Sequence, residues 1–156
     1  METNKQKIIN YVIIITSILV IAILGSIFVN IGSDWFNSLQ TPNQFVPNFV
    51  IPIVWSVIYT IFAVVLCVWT NKQNLPKKVF WLLIVNGILN ILWCLFFFTL
   101  KQTLLGLIAI VALLISAWWL VLEIKKHRLD FFYSTLIYPV WVSLATCLNL
   151  ALWILN

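Results

Sequence analysis

Five long stretches of this chain contain no Asp, Glu, Lys or Arg: residues 8–33, 35–71, 79–100, 102–122 and 131–156. Each is long enough for a helix of about 20 residues, the length that crosses a hydrocarbon core of about 30 Å. A backbone in lipid must satisfy its own hydrogen bonds, so such stretches are expected to be helices. Strand-type alternation of apolar and polar residues is absent, which argues against a small barrel. Charged residues make up only 8% of the 156, against about a quarter in soluble domains. A globule so poor in charge could not cover its surface with groups that water solvates. The sequence therefore reads as an all-α integral membrane protein with five transmembrane helices in one bundle, a single domain over 1–156.

The spans are expected at about 8–30, 49–70, 79–99, 103–122 and 131–155. The first follows Lys5 and Lys7, but its apolar run exceeds that of a signal peptide and no small-residue cleavage site follows, so it reads as a retained helix. Residues 31–48 form the longest connection. Asp34 is a candidate cap for a short interfacial helix carrying Trp35, Phe36 and Leu39. Pro42 and Pro47 then stiffen an approach to the second span, so the connection suits a lid. Pro76 stands near the start of the third span. Asp130 is a candidate cap for the fifth, and Pro139 within it should kink the helix or free a carbonyl.

Basic residues set an expected orientation. Lys5, Lys7, Lys72, Lys77, Lys78, Lys125, Lys126 and Arg128 fall on one side of a five-span topology and only Lys101 on the other. That bias puts the N-terminus in the cytoplasm and the Trp35 loop outside. The net charge of +5 is thus a topology signal with affinity for anionic lipid, and nucleic acid is not an expected partner.

Conventional catalytic chemistry has few candidates. There is no Gly-rich phosphate loop, no H-E-x-x-H, and no acid in mid-span of the kind that ion-coupled transporters use. Cys67, Cys94 and Cys147 show no metal spacing, and the single histidine, His127, is placed in a basic loop. No metal site is expected.

Tryptophan and asparagine remain. Of nine tryptophans, Trp35, Trp69, Trp81, Trp118, Trp119 and Trp153 fall near span ends, where aromatic belts anchor helices. Trp55, Trp93 and Trp141 lie deeper. Trp55, Tyr59 and Phe62 share one helical face. So do Asn86, Asn90 and Trp93, and again Tyr138, Trp141, Ala145 and Asn149. Amides facing lipid are costly, so Asn86, Asn90 and Asn149 should point inward. They can act as glue between helices. Together with the aromatics they can also line a pocket for a flat, mostly apolar ligand with a few polar edges.

At these residues the sequence resembles the translocator protein family, also called tryptophan-rich sensory proteins (TspO/MBR). Trp35-Phe36 to Leu39-Gln40-Thr41-Pro42 is similar to its W-Y-x-x-L-x-K-P. Val54-Trp55 to Tyr59 is similar to v-W-x-x-l-Y, and Asn86 to Trp93 with Phe96-Phe97-Phe98 is similar to N-x-x-W-x-x-x-F-F. Trp141 to Asn149 is similar to W-x-x-F-A-T-x-L-N. The resemblance implies a five-helix pocket capped by the first loop, with Trp35, Pro42 and Pro47 in the lid. It implies ligand contacts from Trp55, Tyr59, Asn90, Trp93, Trp141 and Ala145. It further implies a homodimer in a bacterial cell membrane that binds tetrapyrroles such as protoporphyrin IX, with no cofactor required. Light-dependent porphyrin breakdown is implied for some members, and would make Trp55 and Trp141 the reactive pair. The family's lid carries a tryptophan and a proline where this chain has Gln44 and Val46. No basic residue follows Asn149, so a cholesterol-type motif is lacking. Three functions stay open at this point: a porphyrin receptor, a light-dependent porphyrin-degrading enzyme, and a passive transporter of porphyrin or other small apolar ligands.

Overall fold

The computed structural model describes residues 4–43 and 46–156. The Gln44 substitution in the lid lies outside them. Among the described residues all regular structure is helical. Helix α1 covers Asn4–Ile31 and a short α2 covers Ser33–Ser38. Helix α3 covers Val50–Lys72, and α4 covers Lys77–Cys94, continuing without a break into a π-helical turn, Leu95–Thr99. Helix α5 covers Thr103–His127, α6 Leu129–Thr135 and α7 Ile137–Leu155. Five helical segments are long and apolar enough to cross a membrane, with α6 and α7 together forming the fifth. The protein is a multi-pass membrane protein.

Around the bundle, α1 sits between α3 and α4, α5 packs between α4 and α7, and α3 meets the fifth span through α6. Along the rest of the α3–α7 seam large rings fill the gap. Phe62 and Tyr138 meet edge to face at 5.4 Å, and Trp55 lies 6.2 Å from Tyr138. The outer shell is apolar, as lipid requires, with Ile13, Ile108, Ile115 and Ile154 each more than half exposed.

Several local expectations are corrected. Asp34 and Asp130 do not cap their helices. Gly32 and Arg128 occupy those positions, and both acids lie inside the first turn, where they still complement the helix dipole. Gly32 is required there for a different reason: a Cβ would stand 2.2 Å from the Phe98 carbonyl oxygen. The connection between the fourth and fifth expected spans is helical as far as His127, so Arg128 alone separates α5 from α6. Glu123 faces inward and binds Lys78 of α4 at 3.0 Å and Lys126 at 2.9 Å, tying two helices at the basic end. His127 therefore belongs to α5, its ring 6.4 Å from that of Trp69. Pro139 acts upstream of itself. Lacking an N–H, it leaves the Thr135 carbonyl without its helical partner, and the helix breaks at Leu136.

The tryptophan belt also divides. Trp81, Trp119 and Trp153 are exposed to the lipid side, whereas Trp69 is 0% exposed and packs on Phe131 at 5.4 Å. Trp69 is a core residue because α6 turns back under α3 and covers it.

Candidate functional site

The three asparagines point inward: Asn86, Asn90 and Asn149 are 7%, 3% and 3% exposed. They do so with partners. Asn86 accepts a hydrogen bond from the Tyr138 hydroxyl at 2.6 Å and donates to Ser116 Oγ at 2.8 Å, and Ser116 donates to the Leu113 carbonyl at 2.9 Å. Three helices, α4, α5 and α7, are thereby joined. Asn149 accepts from Trp93 Nε1 at 3.2 Å and donates to the Ala145 carbonyl at 2.9 Å. The Tyr59 hydroxyl donates to Asn90 Oδ1 at 3.4 Å. The glue reading of the amides thus holds for Asn86 and Asn149.

Beside this network lies a cavity of about 470 Å³, within the range of roughly 300–1,000 Å³ typical of small-molecule sites. Helices α1, α3 and α4 form its walls, and single residues of α5 and α7, Leu120 and Tyr138, close its back. Trp55 stands in its wall, stacked on Tyr59 at 5.7 Å and 6.2 Å from Trp93. Asn86 and Asn90 supply the polar spots in a wall that is otherwise mostly apolar. No charged side chain lines it among the described residues. Gly87 lets α1 approach α4: a Cβ there would stand 2.7 Å from Ile21 Cδ1.

The residues expected at the site are divided by this wall. Trp55, Tyr59 and Asn90 line the cavity. Trp93 stands behind them, 7% exposed and bonded to Asn149. Trp141 and Ala145 are half-buried outside the cavity wall, and the Trp141 Nε1 is enclosed without an acceptor. Trp35, Pro42 and Pro47 do not line the cavity either. Trp35 meets Phe97 edge-on at 5.5 Å, and Phe36 lies 5.4 Å from Phe98, so α2 docks on the π-helical turn. That turn places consecutive phenylalanines on both faces of the helix end, with Phe97 1% exposed. The side chain of Asn156 brackets the backbone of Gln40, accepting from its N–H and donating to its carbonyl, each at 3.0 Å. The loop is fastened to the end of α7, away from the basic end.

What the sequence reading missed is the contribution of α1. Ile14, Ile18 and Ile21 border the cavity, with Thr16 and Ser17 beside them. Beyond its polar first turn every turn of this helix is mostly apolar, so no face stands out. Thr16 and Ser17 in mid-span, and Gly87 opposite, were the available signals.

The sequence profile described as the TspO/MBR family matches residues 13–154. The tryptophan-rich protein TspO of Archaeoglobus fulgidus is 29% identical over 155 residues, covering 97% of this chain and 99% of that protein. The tryptophan-rich protein TspO of Bacillus cereus is 26% identical over 136 residues, covering 85% and 88%. Protein CrtK of Rhodobacter capsulatus is 26% identical over 129 residues, 78% of each chain.

Proposed function

This chain belongs to the TspO/MBR family, and on that premise we propose that it is a membrane receptor for tetrapyrroles such as protoporphyrin IX, acting in porphyrin homeostasis or stress sensing. The observation that carries the reading is the cavity lined by Trp55, Tyr59 and Asn90, with no charged side chain among the described residues. Stacked rings offer π faces to a flat ligand, and the amides of Asn86 and Asn90 offer hydrogen bonds to its polar edges. The protein is proposed to work as a homodimer in the bacterial cell membrane with its N-terminus in the cytoplasm. The eight-to-one bias of basic residues supports that orientation.

Binding is favoured over photochemical breakdown because the two tryptophans the latter would use are separated. Trp55 is in the cavity wall and Trp141 is outside it. The test is titration of detergent-purified protein with protoporphyrin IX in the dark, followed by tryptophan quenching, and then in light, followed by porphyrin absorbance. Saturable dark quenching that the Trp55→Leu/Asn90→Leu variant lacks supports the receptor. Absence of saturable binding removes it. Porphyrin loss in light that requires Trp55 and Trp141 would establish the enzyme instead.

A further inference from the structure

Part of the cavity wall is made of residues exposed on the outer, lipid-facing surface of the bundle. Helix α3 lines it with Ile58, Phe62 and Leu66, all buried. Helix α4 adds residues that are exposed, Phe80, Ile84 and Ile88, and α1 adds Ile13 and Val20, also exposed. The mouth is therefore a slit between α1 and α4. From Phe80 to Ile91 the lined stretch of α4 rises through 11 residue steps, about 17 Å at about 1.5 Å per residue. That is close to half of a hydrocarbon core of about 30 Å, the depth of one leaflet.

At the basic end two lysines, Lys7 and Lys77, stand on the two helices that edge the slit. Lys7 is half-buried among exposed neighbours on α1, on the same face as Ile14, Ile18 and Ile21 at i+7, i+11 and i+14. Lys77 begins α4, one turn before Phe80 on the exposed rim. Neither forms an ion pair among the described residues, and nor do Lys5, Lys72 and Lys125 at the same end, whereas Lys78, Lys126 and Arg128 are paired with Glu123 or Asp130. A topology signal accounts for lysines on this side. What singles out Lys7 and Lys77 is their place, one on the cavity face of α1 and one a turn before the α4 rim.

We propose that this slit holds one acyl chain of an anionic phospholipid from the leaflet at the basic end, its headgroup held between Lys7 and Lys77. The chain lies along α4 with its end near Trp55, so the resident lipid occupies the space the proposed ligand would need. The Ser17 hydroxyl, already donating to the Ile13 carbonyl at 2.7 Å, presents no unmet donor to such a chain. The lipid site does not depend on the tetrapyrrole reading and stands or falls separately from it.

The test uses the full chain in vesicles of phosphatidylcholine containing a minor fraction of either phosphatidylglycerol or phosphatidylcholine brominated near the chain terminus. Bromine quenches tryptophan on contact. The expected result is excess quenching by brominated phosphatidylglycerol, saturating at low mole fraction with a preference on the order of tenfold over brominated phosphatidylcholine. That excess should vanish in Lys7→Gln/Lys77→Gln and in Trp55→Phe, and persist in Lys7→Arg/Lys77→Arg. Unchanged quenching by brominated phosphatidylcholine in each variant verifies the fold. Equal quenching by both lipids in the wild type overturns the proposal. So does an excess that survives the glutamine pair, or one that survives Trp55→Phe, which would place the lipid on the outer surface.

Discussion

Helix α5 buries Leu113, Ala117, Leu120, Val121 and Ile124 against its neighbours, while α1, with 28 residues against 25, fully buries only Gly25. The α4–α5–α7 side is closed by apolar packing and by the Asn86–Ser116–Tyr138 hydrogen bonds. The α1 side encloses a cavity, and the helix touches α3, α4 and the π-helical turn while leaving most of its surface to lipid. In a membrane no hydrophobic force pulls helices together, so association rests on packing and on polar links between helices. The side that has both is the scaffold. The side that has neither in full is where a ligand finds space.

Stability measurements in detergent can break this contrast. The largest loss is expected for Trp69→Ala, about 3–5 kcal/mol, because a fully buried indole leaves a cavity that α6 cannot fill. A loss below about 1 kcal/mol would mean that the α3–α6 contact is not part of the scaffold. Asn86→Ala comes next. It strands the Tyr138 hydroxyl and Ser116, for a loss of about 1–3 kcal/mol. On the α1 side, Ile14→Ala should cost less than about 1 kcal/mol, because its side chain borders empty space and makes few of the contacts whose loss is costly. A loss equal to that of Asn86→Ala would erase the distinction between the two sides. Smallest of all, Trp119→Phe, on the lipid face and 53% exposed, should stay within about 0.5 kcal/mol.

The distribution of charge and apolar runs carried the five spans, and the inward asparagines followed from the cost of an amide in lipid. Helix ends were read less well. The fourth span is expected to end at 122, before Glu123, yet the helix runs on because Lys78 on another helix pays for the burial of that acid. Trp69 was assigned to the belt from its place in the sequence, but a break at Leu136, three residues before Pro139, folds α6 beneath it. Periodicity identified Trp55, Tyr59 and Asn90 as facing inward. It could not say which inward residues meet empty space and which meet one another. Trp93 meets Asn149, and Trp141 sits outside the wall, because the rings of α3 and α7 already fill their seam. A cavity is set by three helices at once, and α1 announces none of it.

Protoporphyrin IX binding by two variants in the dark tests the central claim, that the space between α1, α3 and α4 is the ligand site. Gly87→Leu pushes a side chain into that space past the flexible tip of Ile21, and Trp141→Phe alters a ring outside it. With both variants folded by thermal midpoint, affinity should fall by about tenfold or more in Gly87→Leu, a loss of about 1.4 kcal/mol or more, and stay within about twofold in Trp141→Phe. Unchanged binding in Gly87→Leu together with a loss in Trp141→Phe would put the ligand elsewhere in the bundle and contradict the account.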